Sequence, residues 1–402
     1  MTTAVVHDQE PGRAPTPESA RRKSSGRIPE LDGLRGLAIL LVILCHYVGD
    51  AVHAPLGFWV HRMLSLLTVG WSGVDLFFVL SGFLIGGILL DARNAPHYFR
   101  AFYMRRIHRI LPVYYSWLLI FAALGATALW LLPGRFPVEK RDLTQLPYYF
   151  LFLQNMRYDQ TLFQWVWLSM MWSLAVEEQF YLVTPPLIRF LSRRRLITVL
   201  VATICLVPVL RLLALKYLAL GSYIAVLATP CRADALAFGV LVAVAWRTEW
   251  FREFLETHRV AMQRVLLGMA FVLAGLLWWL AHPVSVVTVL IGYTWLAAFY
   301  SCLLVVAISQ TTGWVAGVFR WRALRALGTV SYCLYVVHAT IHQFAHFLLL
   351  HARPQVYNAK GVAVTVLALV VSLTVAGLSW RYFEKPLIRR GHGYSYSQDP
   401  ET

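Results

Sequence analysis

The chain has 402 residues, of which 58% are hydrophobic, 14% aromatic and only 14% charged, and its formal net charge is +16. A soluble domain averages roughly 45–50% apolar residues, so this composition excludes an ordinary soluble protein and points to one embedded in a membrane. The positive balance does not imply nucleic acid, because the basic residues follow the pattern of membrane loops.

The first thirty residues are polar and hold no apolar core, so residues 1–27 read as a disordered cytoplasmic tail and not as a cleaved signal peptide. Beyond them the sequence shows ten apolar stretches of about 17–25 residues, the length that crosses a bilayer core. They lie near 33–49, 69–90, 110–132, 172–191, 196–214, 230–246, 264–281, 284–309, 328–350 and 361–383. An eleventh run, from Leu146 to Asn155, is too short to cross and reads as a re-entrant or interfacial piece. With the N-terminus inside, 25 of the 36 Lys and Arg residues fall on the cytoplasmic side, eight fall outside, and Arg35, Arg211 and Arg232 sit within spans. Counting the eleventh run as a crossing would put the Arg193-Arg194-Arg195 cluster outside, against the positive-inside rule. The expected architecture is therefore an all-α integral membrane protein of about ten transmembrane helices with both termini cytoplasmic. Its transmembrane domain covers 28–390, a short cytoplasmic tail covers 391–402, and the cytoplasmic (inner) membrane is its bilayer. The five cysteines, Cys45, Cys205, Cys231, Cys302 and Cys333, have no paired spacing and read as buried thiols.

Several spans carry side chains that hydrocarbon disfavours. In LDGLRGLAILLVILCHY, Leu31 to Tyr47, Arg35 and His46 are eleven residues apart. On a straight helix that is three turns plus roughly 20° and a rise of roughly 16 Å, so the two share one face. An ionisable group at mid-membrane depth is a functional-site hypothesis; a neutral imidazole bonded to a neighbouring helix, beside an arginine reaching back to the interface, would give the same pattern. In HYFRAFYMRRIHRILP, His97 to Pro112, the arginines at 100, 105, 106 and 109 recur at helical spacing before the third span, and Pro112 suits the first turn of that span. An interfacial basic helix would look alike, whereas the functional reading is a cradle in which Arg105, Arg106 and Arg109 fork onto phosphates.

Glu177 and Glu178 lie inside the fourth span and point about 100° apart, so at most one faces a given cavity. Arg211, Arg232 and Asp234 fall near the same level, either as ion pairs or as a polar site, and Asp75 enters the outer end of the second span, where Gly82 and Gly86 would allow close helix packing. His338, His342 and His346 share one face of the ninth span, but no acidic or cysteine partner stands at ligand spacing, so no metal is expected. Asp75, Arg232, Asp234 and His338 complete the set as candidate substrate-binding residues.

Seven segments, LDGLRGLAILLVILCHY, GVDLFFVLSGFLI, RRIHRILPVYY, WSLAVEEQFYLVTP, TPCRADALAFG, SYCLYVVH and YFEKPLIRR, resemble in order the signature segments of the acyltransferase-3 family of membrane O-acyltransferases, over roughly residues 28–390. The resemblance implies a fold of about ten helices and transfer of an acyl group from acyl-CoA to a hydroxyl on a glycan, lipid or small molecule. Its Arg-x10-His pair falls on Arg35 and His46, its Arg-x-x-Arg motif on Arg106 and Arg109, and its acidic motif on Glu177 and Glu178. Two departures stand out: RRIHR lets Arg105 take a neighbour's role, and the chain ends at Thr402 without room for the esterase-like domain that some relatives append.

The expected mechanism joins both readings. Cytoplasmic acyl-CoA, acetyl-CoA by family default, docks its phosphates on Arg105, Arg106 and Arg109 with Arg35 at the cavity mouth. Its thioester is delivered toward His46, which acts as general base or carries the acyl group transiently. Glu177 or Glu178 orients the acceptor, a cell-envelope glycan, a lipid, or a secreted small molecule such as a macrolide. A proton-coupled transporter or flippase would use the same polar cavity, and a non-catalytic acyl-CoA sensor would bind without turnover; the cytoplasmic Arg-x-x-Arg helix and the lack of an evident inverted repeat favour the enzyme.

Overall fold

A computed structural model describes residues 28–49, 51, 66–131, 143–156, 168, 170–279, 284–310 and 313–397; the tail expected over 1–27 lies outside them. Among the described residues every regular element is helical. In chain order they are α1 (Pro29–Leu44), continued by a π turn at Cys45–Gly49; α2 (Gly73–Asp91), entered through a 3-10 turn at Leu66–Ser72; α3 (Tyr98–Leu131); and a short α4 (Leu146–Phe150). There follow α5 (Trp172–Phe190), α6 (Arg193–Tyr217), α7 (Gly221–Leu227), α8 (Thr229–Trp246), α9 (Glu249–Thr257) and α10 (Arg259–Trp279). The last are α11 (Tyr293–Ser309), α12 (Trp314–Arg320), α13 (Arg322–Leu350), α14 (Ala359–Ser379) and α15 (Lys385–His392).

Eight of these rods are long and apolar enough to cross a bilayer: Pro29–Gly49, Leu67–Asp91, Tyr98–Leu131, Arg193–Tyr217, Gly221–Trp246, Thr288–Ser309, Arg322–Leu350 and Ala359–His392. The chain is a multi-pass integral membrane protein. Two further helices, α5 and α10, run for 19 and 21 residues, and α5 is the one that carries Glu177 and Glu178. The eleventh apolar run does not cross. It folds into the five-residue α4 and a 3-10 turn, and Asn155 is anchored by amide bonds to Leu227 O (3.2 Å) and Thr229 Oγ1 (2.9 Å).

Two expectations are corrected. The basic stretch before the third span is not a separate interfacial helix: it continues into the span as the 34-residue α3, with Pro112 in the interior. Proline removes one N–H but holds a helical φ, and inside a helix bundle neighbouring groups absorb the freed carbonyl. The second concerns the cysteines. Cys45, Cys231 and Cys333 are buried, but Cys205 is exposed on α6, among the outward-facing Leu206, Val209 and Leu212. Hydropathy alone does not distinguish burial in protein from burial in lipid.

Helix α1 divides the interior. Leu34 and Ala38 join a cluster with Leu76, Phe78 and Val79 of α2 and with α8 and α11, whereas Ile39, Val42 and Ile43 face Tyr114 and Leu118 of α3 and Leu334 to Val337 of α13. A helix buried all round needs close neighbours, and small residues supply the room. A Cβ on Gly36 would stand 1.9 Å from Leu324 O and one on Gly328 1.9 Å from Asp32 O, so α1 and α13 touch backbone to backbone. Gly82 of α2 and Gly239 of α8 interlock in the same way, each with a hypothetical Cβ 2.1 Å from a carbonyl of the other helix. These contacts fix α1, α2 and α13 around the space between them.

Candidate active site

That space is a cavity of about 780 Å3, counting its open mouth, walled by α1, α2, α3, α5 and α13. Three arginines line it: Arg35 from the first turns of α1, and Arg106 and Arg109 from one face of α3, three residues apart. Among the described residues the only carboxylate on its wall is Glu177 of α5, whose Oε1 accepts a 2.5 Å bond from Ser81 of α2. Ser173, Ser331, Tyr181, Tyr332 and Tyr335 add hydroxyls, and the remaining lining is apolar. Arg35 has Asp32 of its own helix at 3.6 Å. Arg106 lies over the ring of Phe102 at 6.0 Å, and its buried Nε has no hydrogen-bond partner. Three guanidiniums against Glu177 and the Asp32 beside Arg35 leave the chamber formally positive, a setting for an anion with several phosphate or carboxylate oxygens.

Other expected site residues lie elsewhere. Glu178 does not line the cavity, although its charge lies close enough to act on Arg106 and Tyr332 of the wall. Arg105 is engaged by the chain end, its Nε donating to Tyr394 O at 2.9 Å and its guanidinium 4.8 Å above the ring of Tyr396. The straight-helix stripe expected for Arg35 and His46 brings only Arg35 to the cavity. His46 sits on the π turn after α1, beyond the lining, and its ring lies 5.4 Å from that of His338. His338 in turn is 5.9 Å from the ring of Tyr335, which is on the wall. A hydrogen bond of 2.6 Å between Tyr335 and Ser173 crosses the wall on that side.

Asp75, Arg232 and Asp234 are each about 1% exposed and lie in buried ion pairs outside the cavity. Arg211 makes a two-pronged bond to Asp234 at 2.7 and 2.8 Å, and its other nitrogens donate to Thr294 Oγ1 and Cys231 O. Arg232 reaches Asp75 at 2.6 Å and stands 3.9 Å over the ring of Tyr293. His342 and His346 share the Thr365 hydroxyl, at 3.1 and 2.9 Å.

With this arrangement in view, the comparison with known proteins is decisive for the family. The acyltransferase-3 family, described as an acyltransferase domain, matches residues 28–381. The chain belongs to that family.

Among curated relatives of this acyltransferase-family chain, a Staphylococcus aureus (strain COL) protein provisionally named as an O-acetyltransferase is 26% identical over 90% of this chain and 58% of its own length. The peptidoglycan O-acetyltransferase OatA of Listeria monocytogenes is 25% identical over 92% of this chain and 57% of its own. A Bacillus subtilis protein, YrhL, provisionally named as a peptidoglycan O-acetyltransferase, is 28% identical over 90% of this chain and 55% of its own. The chain thus spans a little over half the length of these relatives. No solved structure matches it.

Some wall residues of this acyltransferase-family cavity escape a charge-based reading of the sequence. Ser81 and the tyrosines at 181, 332 and 335 are polar only at their tips and blend into apolar helices. A signal was present for one of them: Tyr181 follows Glu177 by four residues and so shares its face, with the hydroxyl 3.5 Å from Oε2.

Proposed function

We propose that the protein is a membrane O-acyltransferase that moves an acetyl group from cytoplasmic acetyl-CoA to a hydroxyl of a cell-envelope glycan. The observation that carries this reading is the gathering of Arg35, Arg106 and Arg109 around one chamber with Glu177. The names of the Listeria and Bacillus relatives support peptidoglycan as the acceptor. The excess of basic residues at the ends of α1 and α3 from which the arginines enter, and at the start of α13, supports a cytoplasmic mouth, and ten crossings with both termini inside fit the two long helices that supplement the eight.

In this reading the CoA phosphates meet Arg106 and Arg109 first and Arg35 above them, forked guanidiniums being suited to phosphate oxygens. The acyl-bearing arm extends between α2 and α5 toward the Ser173–Tyr335 bond, which parts to admit the thioester to His46. The acceptor oxygen attacks the thioester carbonyl while His46 takes its proton. The carbon–sulfur bond then breaks and the same proton passes to the leaving CoA thiolate, which restores the imidazole. Glu177 orients the acceptor or steadies the charge on His46. A flippase would have less use for three gathered arginines, because a mobile proton relay needs groups that change charge.

The test uses the purified protein in detergent. CoA should raise its melting temperature, and acetyl-CoA with peptidoglycan fragments should yield acetylated product. General-base removal typically costs 10²–10⁴ in rate, so His46→Ala should lose about that much turnover while CoA still stabilises the protein. Glu177→Gln should also turn over poorly with CoA binding kept. Wild-type turnover in His46→Ala would end the proposal.

A further inference from the structure

The chamber has two unlike ends. At one, Ile85 of α2, Ile110 of α3 and Tyr181 of α5 belong to a single apolar cluster, and Arg106 stands over the ring of Phe102 in that same cluster. This is the mouth, where the arginines gather. At the other, Leu174 of α5 and Tyr335 of α13 belong to the cluster against which Val74 and Phe77 of α2 pack. That end is closed. Leu174 and Tyr335 are each 6% exposed, and the Tyr335 hydroxyl is held by Ser173 Oγ at 2.6 Å and by Met170 O at 3.0 Å. The ring of Phe77 meets that of Tyr335 edge to face at 6.1 Å, so it reaches from α2 across to α13.

The depth between the two ends follows from helix geometry. Val74 and Ile85 both line the chamber, and the rise between them along α2 is about 16 Å at roughly 1.5 Å per residue. On α5 the wall from Ser173 to Tyr181 covers about 12 Å of the same depth, and the Ser81–Glu177 bond ties the two helices together part-way along. An extended covalent chain advances roughly 1.2 Å per bond, so the about twelve bonds between the diphosphate and the sulfur of CoA reach about 14 Å. A thioester sulfur that has come so far from the mouth stands about 2 Å short of the closed end, which is the length of an acetyl group and little more. Parting of the Ser173–Tyr335 bond opens the polar side of that end toward His46. On the apolar side Val74, Phe77 and Leu174 remain, and Phe77 is the largest of the three.

We infer that Phe77 sets the length of the acyl group: its ring is the stop for the methyl end of a short acyl thioester, and chains two or more carbons longer are turned away. The inference rests on the proposed function for the identity of the donor and deepens it by naming the residue that selects among acyl-CoA thioesters. Phe77 acts on specificity and takes no part in proton transfer. A pocket without room for a further methylene discriminates by roughly 10–200-fold, whereas a methylene that finds apolar space gains about fourfold in affinity. Removing the ring therefore changes the sign of the selection as well as its size.

The test measures binding of CoA, acetyl-CoA and hexanoyl-CoA to the full chain in detergent by isothermal titration calorimetry, and it needs no acyl acceptor. The wild type should bind hexanoyl-CoA at least about tenfold more weakly than acetyl-CoA. In Phe77→Ala hexanoyl-CoA should bind at least as tightly as acetyl-CoA, while affinity for CoA itself stays within about twofold of the wild type, because the arginines lie at the other end of the chamber. Phe77→Leu, which keeps apolar bulk and so protects folding, should move the hexanoyl-to-acetyl ratio in the same direction by a smaller factor. Leu84→Ala enlarges the same chamber nearer its mouth and should leave that ratio unchanged. Equal ratios in the wild type and the Phe77 variants overturn the inference, as does a wild type that accepts hexanoyl-CoA as readily as acetyl-CoA, or a shift in Leu84→Ala as large as that in Phe77→Ala. The two readings fail separately: a wild type that shows the donor preference but transfers no acetyl group defeats the acyltransfer reading alone, and one that binds no CoA thioester defeats both.

Discussion

The buried arginines of this protein occur in two contrasting settings. Around α6, α8 and α11, Arg211 is matched nitrogen by nitrogen: both oxygens of Asp234, the Thr294 hydroxyl and Cys231 O satisfy it. Around the cavity, Arg35, Arg106 and Arg109 crowd together with Glu177 as the one wall carboxylate among the described residues and Asp32 beside Arg35, and Arg106 keeps a buried nitrogen without a partner. The Arg211 group is complete within the chain and so needs no ligand; its neighbour Arg232 has its counter-charge in Asp75, although its Nε and Nη1 stay without hydrogen-bond partners. The second setting concentrates one sign of charge in a space that a ligand can enter, which is unfavourable for folding alone and useful for binding an anion. Burial of a charge in the membrane therefore marks a site only when its counter-charge is missing from the protein.

Breaking the complete setting should produce the largest effect. Asp234→Asn leaves the Arg211 guanidinium buried without its anion, which typically costs 3–5 kcal/mol. Thermal unfolding in detergent should shift markedly downward, or folded protein should fail to accumulate, and adding Arg211→Met should recover much of the loss because no unpaired charge remains. An Asp234→Asn variant that melts with the wild type would mean that the pair is not the structural unit described.

The incomplete setting should respond in the opposite sense. Arg106→Gln removes a charge already opposed by its neighbours, so the apo protein should melt no lower than the wild type. Its stabilisation by CoA should weaken by about tenfold to a hundredfold in concentration, the equivalent of one charge-assisted hydrogen bond of roughly 1.5–3 kcal/mol. A large loss of apo stability in Arg106→Gln would move Arg106 into the structural class.

How far these settings could be read from the sequence depends on what each needs. The long apolar runs, the glycine contacts of Gly82 and the presence of charge at Arg35, Arg106, Arg109 and Glu177 are local features, and spacing reveals them. Pairing is not local: Arg232 and Asp75 are 157 positions apart, and no helical periodicity joins them. Two adjacent glutamates can be separated by the helical angle but not ranked by it, so selecting Glu177 over Glu178 required the position of α2 and its Ser81. Pro112 misled for a similar reason, because a residue that commonly begins a helix can also sit inside one when the bundle around it is closed. His46 shows a further limit. The straight-helix register assigned it to the arginine stripe, and the π turn at Cys45–Gly49 is where that register changes.

The smallest expected effect belongs to Arg105, and it tests the comparison most finely. By sequence Arg105 is as good a phosphate ligand as Arg106, one position away. In the fold it belongs to neither setting: its guanidinium is held by Tyr394 O and the Tyr396 ring, and His97 N binds Tyr396 O at 3.3 Å, so the segment after α15 lies across the start of α3. Arg105→Gln should therefore change CoA stabilisation by less than about twofold, while the lost cation–π contact and hydrogen bond cost on the order of 1 kcal/mol of stability. Tyr396→Ala should reproduce the stability change. If Arg105→Gln instead weakens CoA as much as Arg106→Gln does, Arg105 leaves Tyr394 and Tyr396 when the donor arrives, and the chain end becomes a strap that competes with CoA phosphates for this arginine.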